Sequence, residues 1–323
     1  MSALQTEQRV QRDRQPWVNC ATPDAIQHFA WGIGDDNPLW CEFDYGRASR
    51  WGGLIAPPCF YYAVHETTTA PGYPDRRRVY HSVDWTFYDV LPASTLIEAD
   101  PAFVEERATD GSIDQYGRVD FRTPEGRPLA MACTRCTRTL EAAPSIDERP
   151  ELRYTGDELN EIEHLVLASE RRGGKQRQWE ATKPEVELGP LIKGPLSIMD
   201  VVAWCAACTG VVSADSGHSE GGLHDQCATG PELVTWMSQL LTDWMGDDAF
   251  LHRLQVEVHC LPALGSTTYI RGRVASVSLE RAGPTASIDI SAVDKNGALV
   301  ASGVAEVLQP SAEHGPVHLP VST

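Results

Sequence analysis

The feature that most limits the fold of this chain is an internal duplication. In each half, a helical segment is followed by an irregular loop, a second helix and four strand-like runs. Turn signals such as Asp110-Gly111 and Asn296-Gly297 separate the runs. A repeated order of this kind predicts two α+β units, each with a helix packed on an antiparallel sheet.

The first half supplies the elements in that order. Residues 22–34 form a helical segment, residues 35–53 an irregular loop, and the apolar residues 54–66 the expected main helix. The expected strands cover residues 78–90, 95–106, 112–122 and 128–140.

The second half repeats the pattern. A helical run over residues 196–208 leads into a loop rich in Gly, Ser and His, and then into a helix over residues 231–245. Apolar residues cover most sides of that helix, so we expect a sheet to wrap around it. The expected strands cover residues 252–261, 267–279, 287–294 and 299–308.

These patterns divide the chain into four parts. The first unit covers residues 1–145, and a charged linker with one helix covers residues 146–190. The second unit covers residues 191–310, and a proline-containing tail, expected to be mobile, covers residues 311–323. Units of this size bury their own cores without disulfide or metal support.

Composition excludes several classes of protein. The 323 residues include 27 Lys and Arg against 45 Asp and Glu, a net charge of −18, which argues against a nucleic-acid partner. The N-terminal residues are polar, and no apolar run reaches the length of a membrane span. We therefore expect a cytoplasmic protein with no membrane association.

The nine cysteines favour free thiols in a reducing compartment. Cys133 and Cys136 lie in a predicted strand, where a spacing of three places them on opposite faces. Cys205 and Cys208 share a helix face, but no second pair of ligands lies nearby in the sequence. We expect no metal site and no cofactor.

A motif in the first loop resembles the hydratase motif of the MaoC-like hot-dog family. The positions that match are Gly34, Asp35, Asn37, Pro38, Leu39, Glu42 and Tyr45, and Gly52 to Pro58 resemble the entry to the hot-dog helix. The sequence Ala56-Pro57-Pro58 is similar to the branch related to fatty-acid-synthase dehydratases. Weaker similarity in the second half, around Lys193 to Leu196, extends the resemblance over nearly the whole chain.

The resemblance implies a double hot-dog fold with an acyl-thioester tunnel between the halves. It also implies a lyase that adds water to an enoyl thioester of CoA or a carrier protein, or removes it. In the family, an Asp and a His of the motif handle the water and the proton. A homodimer, or a heteromer with another hot-dog protein, is expected from the open edges of such a sheet.

The chain departs from the motif at the histidine, where it has Trp40. Asp35 and Asn37 remain as catalytic candidates without that partner. The loop is then either a scaffold and substrate groove, or Asp35 is a base whose partner comes from elsewhere, or Asp35 is a turn residue. Trp40, Tyr45 and Pro57 are candidates for substrate binding, and a tryptophan here suits a bulky or aromatic acyl group.

The second half lacks the motif as well. Its loop nevertheless contains Asp215 and His218, which are capable of acid–base chemistry and are the catalytic candidates there. Gly230 precedes a helix, and its N–H is a candidate to face the thioester oxygen.

The sequence thus predicts an enoyl or 3-hydroxyacyl thioester hydratase or dehydratase that acts on a bulky or secondary-metabolite acyl group. Two alternatives stay open. One is a thioesterase, isomerase or cyclase on the same fold, and the other is a non-catalytic subunit of a heteromer.

Overall fold

The computed structural model describes residues 18–73, 75–109, 111–140, 153–168, 176–208 and 228–320. The helices of this part are α1 Pro23–Gly32, α2 Pro38–Cys41, α3 Phe43–Ala48, α4 Gly156–Leu167, α5 Ile198–Cys208 and α6 Gly230–Met245. Two 3₁₀ helices cover Pro58–Ala63 and Trp179–Ala181. The strands are β1 Arg77–Phe87, β2 Glu98–Thr109, β3 Ser112–Arg122, β4 Pro128–Thr139, β5 Glu187–Lys193, β6 Phe250–Val258, β7 Thr268–Glu280, β8 Gly283–Asp294 and β9 Leu299–Leu308.

All nine strands form a single antiparallel sheet in the order β2-β3-β4-β1-β6-β9-β8-β7-β5. Strands β1 to β4 come from the first half and β5 to β9 from the second. The halves join through the pairing of β1 with β6. The expectation of two α+β units is confirmed, and their sheets form one continuous surface.

The predicted strands agree closely with the observed ones. The run predicted over residues 128–140 is β4, Pro128–Thr139, and its side chains alternate between buried and partly exposed positions. Cys136 is buried while Cys133 is exposed, as the spacing of three on a strand predicts. The turn signals between the strand-like runs located these strands.

Helix α6 packs against the sheet on strands β5 to β8. Leu233, Met237 and Leu241 are fully buried on it, in agreement with the prediction of a helix wrapped by sheet. Thr229 caps its N-terminus, and the Glu232 side chain accepts a hydrogen bond from the Thr229 N–H in return.

The main helix predicted over residues 54–66 is shorter in the structure. Only Pro58–Ala63 is helical, as a 3₁₀ helix, and residues 65–73 form a strap without helix or strand that lies against β3 and β4. Side chains of β3 and β4 hold the strap: Gln115 donates to the Pro71 carbonyl at 2.7 Å and Thr134 to the Thr67 carbonyl at 3.0 Å. These bonds satisfy carbonyls that a continuing helix would have used itself.

Aromatic side chains fill the space beneath the 3₁₀ helix. The rings of Trp85 and Phe87 on β1 stack with an interplanar angle of 8°, and Tyr61 packs on Phe121 with ring centroids 4.9 Å apart. All four side chains are at most 2% exposed. This packed cluster fixes the position of the Tyr61 side chain.

Two segments differ from the predicted boundaries. The residues assigned to the linker include most of β5, which pairs with β7 and so belongs to the second half's sheet. Residues 311–320, assigned to a mobile tail, pack against the body of the protein. Val317 is buried, and its carbonyl accepts a hydrogen bond from Arg50 at 2.9 Å. Proline and lack of periodicity did not reveal these contacts.

Within the residues described above, no helix is both long and apolar enough to cross a membrane.

Candidate active site

The loop that carries the motif is folded by its own polar side chains. Asp35 and Asn37 are each only 2% exposed. Asp35 Oδ1 accepts a hydrogen bond from the Asn37 N–H at 3.0 Å, and Asn37 Oδ1 accepts one from the Leu39 N–H at 3.0 Å, which caps α2. Both side chains therefore shape the turn that leads to Trp40.

The second half anchors this loop. Lys193 Nζ donates to the Ile33 carbonyl at 2.6 Å and to the Gly34 carbonyl at 3.3 Å. The Gln239 amide on α6 also donates to Gly34, at 3.3 Å. The position of the loop thus depends on both halves of the molecule.

A cavity lies between the loop, the end of β1 and the C-terminal end of α6. Its lining is mainly apolar, and its volume is about 40 Å³. Five aromatic side chains contribute, together with Asp89 and Asp247; the aromatic residues are Trp40, Trp51, Tyr61, Phe87 and Phe250. A cavity of this volume accommodates a few atoms of a ligand, so a larger group has to extend beyond it.

Two of the residues that line this cavity carry a buried hydrogen-bond donor. The Trp40 indole N–H and the Tyr61 hydroxyl have no hydrogen-bond partner within the part of the chain that the structure describes. Trp40 is 2% exposed and Tyr61 1%. Because a buried donor without a partner costs about 1–3 kcal/mol, such groups suggest a site where an acceptor atom binds.

A carboxyl group lies at the same cavity. Asp89 follows the end of β1 and forms an ion pair with Arg127, which precedes β4. Burial raises the pKa of Asp89 above its ordinary value, although the Arg127 charge and the Val90 N–H oppose that rise. Burial also raises the pKa of Tyr61, and the charge of Asp89 adds to this effect. Asp89 and Tyr61 are therefore electrostatically coupled.

Asp247 forms a supporting part of the wall. Tyr45 donates a hydrogen bond from its hydroxyl to Asp247 Oδ2, and the Trp51 indole donates to the Asp247 carbonyl at 2.9 Å. Arg50 stacks on Trp51 with its guanidinium 4.5 Å from the ring centroid. The motif loop and the segment after α6 are thus tied together on this side.

Gly230 lies away from this cavity, at the start of α6. A Cβ atom built on Gly230 would approach Tyr80 Cδ1 to 2.5 Å, so the helix start is packed directly against the Tyr80 ring. Glu232, in the same turn, is 1% exposed, and burial raises its pKa to about 8. Asp200 raises this pKa further, while the Thr229 N–H and Lys193 lower it.

The sequence of this chain has no match among known families or curated proteins: no family model matches it, and no curated protein does.

Solved structures give clear similarities. A protein described as a MaoC-like dehydratase has a TM-score of 0.69 at 14% identity, over 90% of this chain and 95% of the other. A putative MaoC domain protein dehydratase from Chloroflexus aurantiacus J-10-fl has a TM-score of 0.66 at 9% identity, over 90% of this chain and 92% of the other. A Mycobacterium tuberculosis protein described as having a double hot-dog fold has a TM-score of 0.60 at 10% identity, over 90% of this chain and 92% of the other.

The fold is a double hot dog. The resemblance that the motif residues carried is thus confirmed at the level of the fold, and the similar structures named as dehydratases are MaoC-like.

In this double hot dog, the predicted site residues fall into separate groups. Trp40 and Pro57 line the cavity, and Tyr45 supports its wall through Asp247. Asp35 and Asn37 are not among the lining residues. Gly230 belongs to the other end of α6. Asp215 and His218 lie outside the described residues, so their assignment stays a prediction.

Sequence reasoning missed three residues of this site, Tyr61, Asp89 and Arg127. Tyr61 has the appearance of an ordinary apolar position on a helix, and Asp89 lies in a turn after a strand. The ion pair joins residues 38 apart in the sequence. Only the pairing of β1 with β4 brings them together, and no local pattern signals it.

Proposed function

We propose that the protein is a hydro-lyase that adds water to an enoyl thioester or removes water from a 3-hydroxyacyl thioester. The observation that supports this most directly is the cavity between the halves. It combines two buried donors, Trp40 Nε1–H and Tyr61 Oη–H, with the partly buried carboxyl of Asp89.

This combination suits the chemistry of thioester hydration. When water attacks C3 of an enoyl thioester, negative charge develops on the carbonyl oxygen. Fixed donors in an apolar site stabilise that charge more than water does. A carboxyl group near the reacting carbons supplies proton transfer. Water addition needs no electron acceptor or donor, so we propose no redox cofactor.

The acyl group is proposed to be bulky or ring-bearing, carried on CoA or on a carrier protein. The cavity itself holds only the reacting atoms, since its volume is about 40 Å³. Trp51 lines the cavity and is partly exposed, so its ring offers a surface for the remainder of the acyl group.

The proposed assembly is a homodimer, or a heteromer with a second hot-dog protein. Strands β2 and β5 form the two ends of the sheet. Strand β2 carries Pro101 and several charged residues, which disfavour direct strand pairing at that edge.

The test is a panel of trans-2-enoyl-CoA and 3-hydroxyacyl-CoA esters with short, long and ring-bearing acyl groups. The purified protein is incubated with each ester, and mass spectrometry follows gain or loss of water and release of free CoA. Gain or loss of one water, strongest for ring-bearing esters, is the expected result. Free CoA with free acid would instead indicate a thioesterase. A product of unchanged mass but altered chromatographic retention would indicate an isomerase, and no change in mass or retention a non-catalytic subunit.

A further inference from the structure

The substitution of the motif histidine by Trp40 leaves the proton transfer unassigned. An indole is a hydrogen-bond donor only and acts as neither acid nor base near neutral pH, so another group at the cavity has to carry the proton. Among the described residues that line the cavity, the ionisable groups are Asp89, Asp247 and Tyr61.

Asp247 and Asp89 differ in their surroundings. Asp247 Oδ2 accepts a hydrogen bond from the Tyr45 hydroxyl, and the Asp247 carbonyl accepts one from the Trp51 indole. Asp247 therefore holds the cavity wall together. Asp89 has its partner, Arg127, on the outer side, where the Arg127 side chain is 49% exposed and that of Asp89 only 19%. Asp89 thus lines the cavity, while Arg127 binds its carboxyl from the solvent side.

Tyr61 is placed for a different task. Its ring packs against Phe121 and Phe87, with ring centroids at 4.9 Å and 6.4 Å. Tyr61 lines the cavity, and its hydroxyl is a buried donor without a partner among the described residues. Trp40 supplies the second donor. Two immobile donors at one apolar cavity are the arrangement that receives a carbonyl oxygen.

We propose that Asp89 is the catalytic acid–base residue of this protein, and that Tyr61 and Trp40 hold the thioester oxygen. The inference rests on the proposed function and assigns its chemistry to residues outside the family motif.

The hydration step balances with one carboxyl group. The Asp89 carboxylate takes a proton from water as the water oxygen bonds to C3. The C2–C3 π electrons move toward C1 and give an enolate, whose oxygen accepts hydrogen bonds from Tyr61 and Trp40. The Asp89 carboxylic acid then returns the proton to C2, which regenerates the carboxylate. Dehydration is the reverse of these steps.

Arg127 is the positioning residue of this scheme. Its charge favours the carboxylate form of Asp89, while burial opposes it. The charged or titratable groups that act on Asp89 are Arg127 and the neighbouring Tyr61, and Asp247 lines the same cavity. Removing the Arg127 charge therefore raises the pH at which Asp89 becomes a base.

The test uses cinnamoyl-CoA and 3-hydroxy-3-phenylpropionyl-CoA with the full-length protein. Asp89→Asn is expected to lower turnover by about 100-fold or more and to abolish exchange of the C2 proton with deuterated water. Tyr61→Phe is expected to lower turnover by about 10- to 100-fold and to reduce the infrared shift of the bound carbonyl. Arg127→Gln is expected to move the acidic limb of the kcat/KM profile up by about one pH unit.

Matched variants control for surface charge and for loss of a hydroxyl. Asp100→Asn removes an exposed carboxylate that pairs with Arg122, Arg122→Gln removes that arginine, and Tyr269→Phe removes a hydroxyl on β7. All three should keep wild-type turnover and pH profile. Should Asp89→Asn fail to fold, Asp89→Glu keeps the charge beside Arg127 and is expected to lose turnover through the displaced carboxyl.

The outcomes separate the two proposals. If the wild-type protein is active and a folded Asp89→Asn variant keeps a turnover within threefold of it, the role of Asp89 is overturned and the proposed function stands. An inactive wild-type protein on every ester would overturn both.

Discussion

The side-chain amide of Gln255 donates a hydrogen bond to the Asp84 carboxylate at 2.8 Å, across the seam where β1 pairs with β6. The two residues are also register partners. Positions 84 and 255 differ by 171, as do the first residues of β3 and β8, Ser112 and Gly283. Asp84 and Gln255 are thus equivalent positions of the duplication, and the pseudo-two-fold axis passes between them.

The Asp84 carboxylate is expected to stabilise this seam. It also receives two hydrogen bonds from Arg253, at 3.0 and 2.6 Å. Because both side chains are partly exposed, Asp84→Ala should lower the free energy of unfolding by only about 1 kcal/mol, measured by urea denaturation. Asp100→Ala, at a more exposed ion pair, serves as the control and should change it by less than about 0.5 kcal/mol. Equal losses for both variants would contradict a role for the seam.

The close contact at the start of α6 predicts a strong glycine requirement. Gly230→Ala would place a Cβ atom 2.5 Å from the Tyr80 ring, so we expect a loss of about 2 kcal/mol or more in the free energy of unfolding. Gly156 occupies the corresponding position of α4 and has nothing within 4 Å of its Cβ site. Gly156→Ala should be neutral or stabilising by up to about 1 kcal/mol. A neutral Gly230→Ala would show that the helix start is less tightly packed than described.

Glu232 is expected to make stability depend on pH. In the unfolded chain its carboxyl loses its proton near the ordinary value of 4.5, whereas in the folded protein it holds the proton to about 8. The native state therefore binds more protons between these values, and stability falls as pH rises, by about 1.4 kcal/mol per pH unit from this group. Glu232→Gln retains the capping box and should remove this slope.

Urea denaturation of wild type and Glu232→Gln at several pH values between 5 and 8 checks whether stability falls as pH rises. Glu257→Gln, on β6, is the control for loss of one carboxylate. A difference between Glu232→Gln and wild type that stays constant across this range would mean that Glu232 is ionised in the folded protein.

Trp40 is expected to affect activity separately from stability. Trp40→Phe removes the buried indole N–H and part of the ring, so turnover of cinnamoyl-CoA should fall by about 10- to 100-fold. Trp204→Phe makes the same change at a buried position on α5, outside the cavity lining. Similar melting temperatures for the two variants, with turnover lost only at Trp40, are the predicted result. Equal turnover would assign Trp40 to packing alone.

Much of the fold was predictable because its signals are local. The strands follow period-two alternation and turn residues, and α6 shows apolar residues on most sides, so both could be located within a few residues. The end of the helix at Ala63 and the strap could not, because Gln115 and Thr134 bind the strap from strands far along the chain. Local propensity gives no information about such bonds.

The candidate site was predictable only in part for the same reason. The motif located the loop and Trp40, since these residues are contiguous in the sequence. Asp89, Arg127 and Tyr61 come from a strand end, a turn and a 3₁₀ helix. Only the folded sheet brings Asp89 and Tyr61 to one cavity and Arg127 to Asp89. The absence of the motif histidine was visible in the sequence, but the group that we propose in its place was not.

The most direct test of the account follows heavy oxygen from labelled water into the products of cinnamoyl-CoA. The account predicts one labelled oxygen at C3 of the 3-hydroxyacyl-CoA product, formed by the wild-type protein and at least about 100-fold more slowly by Asp89→Asn. Label in a free carboxylic acid, with release of CoA, would show hydrolysis of the thioester and contradict the hydro-lyase assignment.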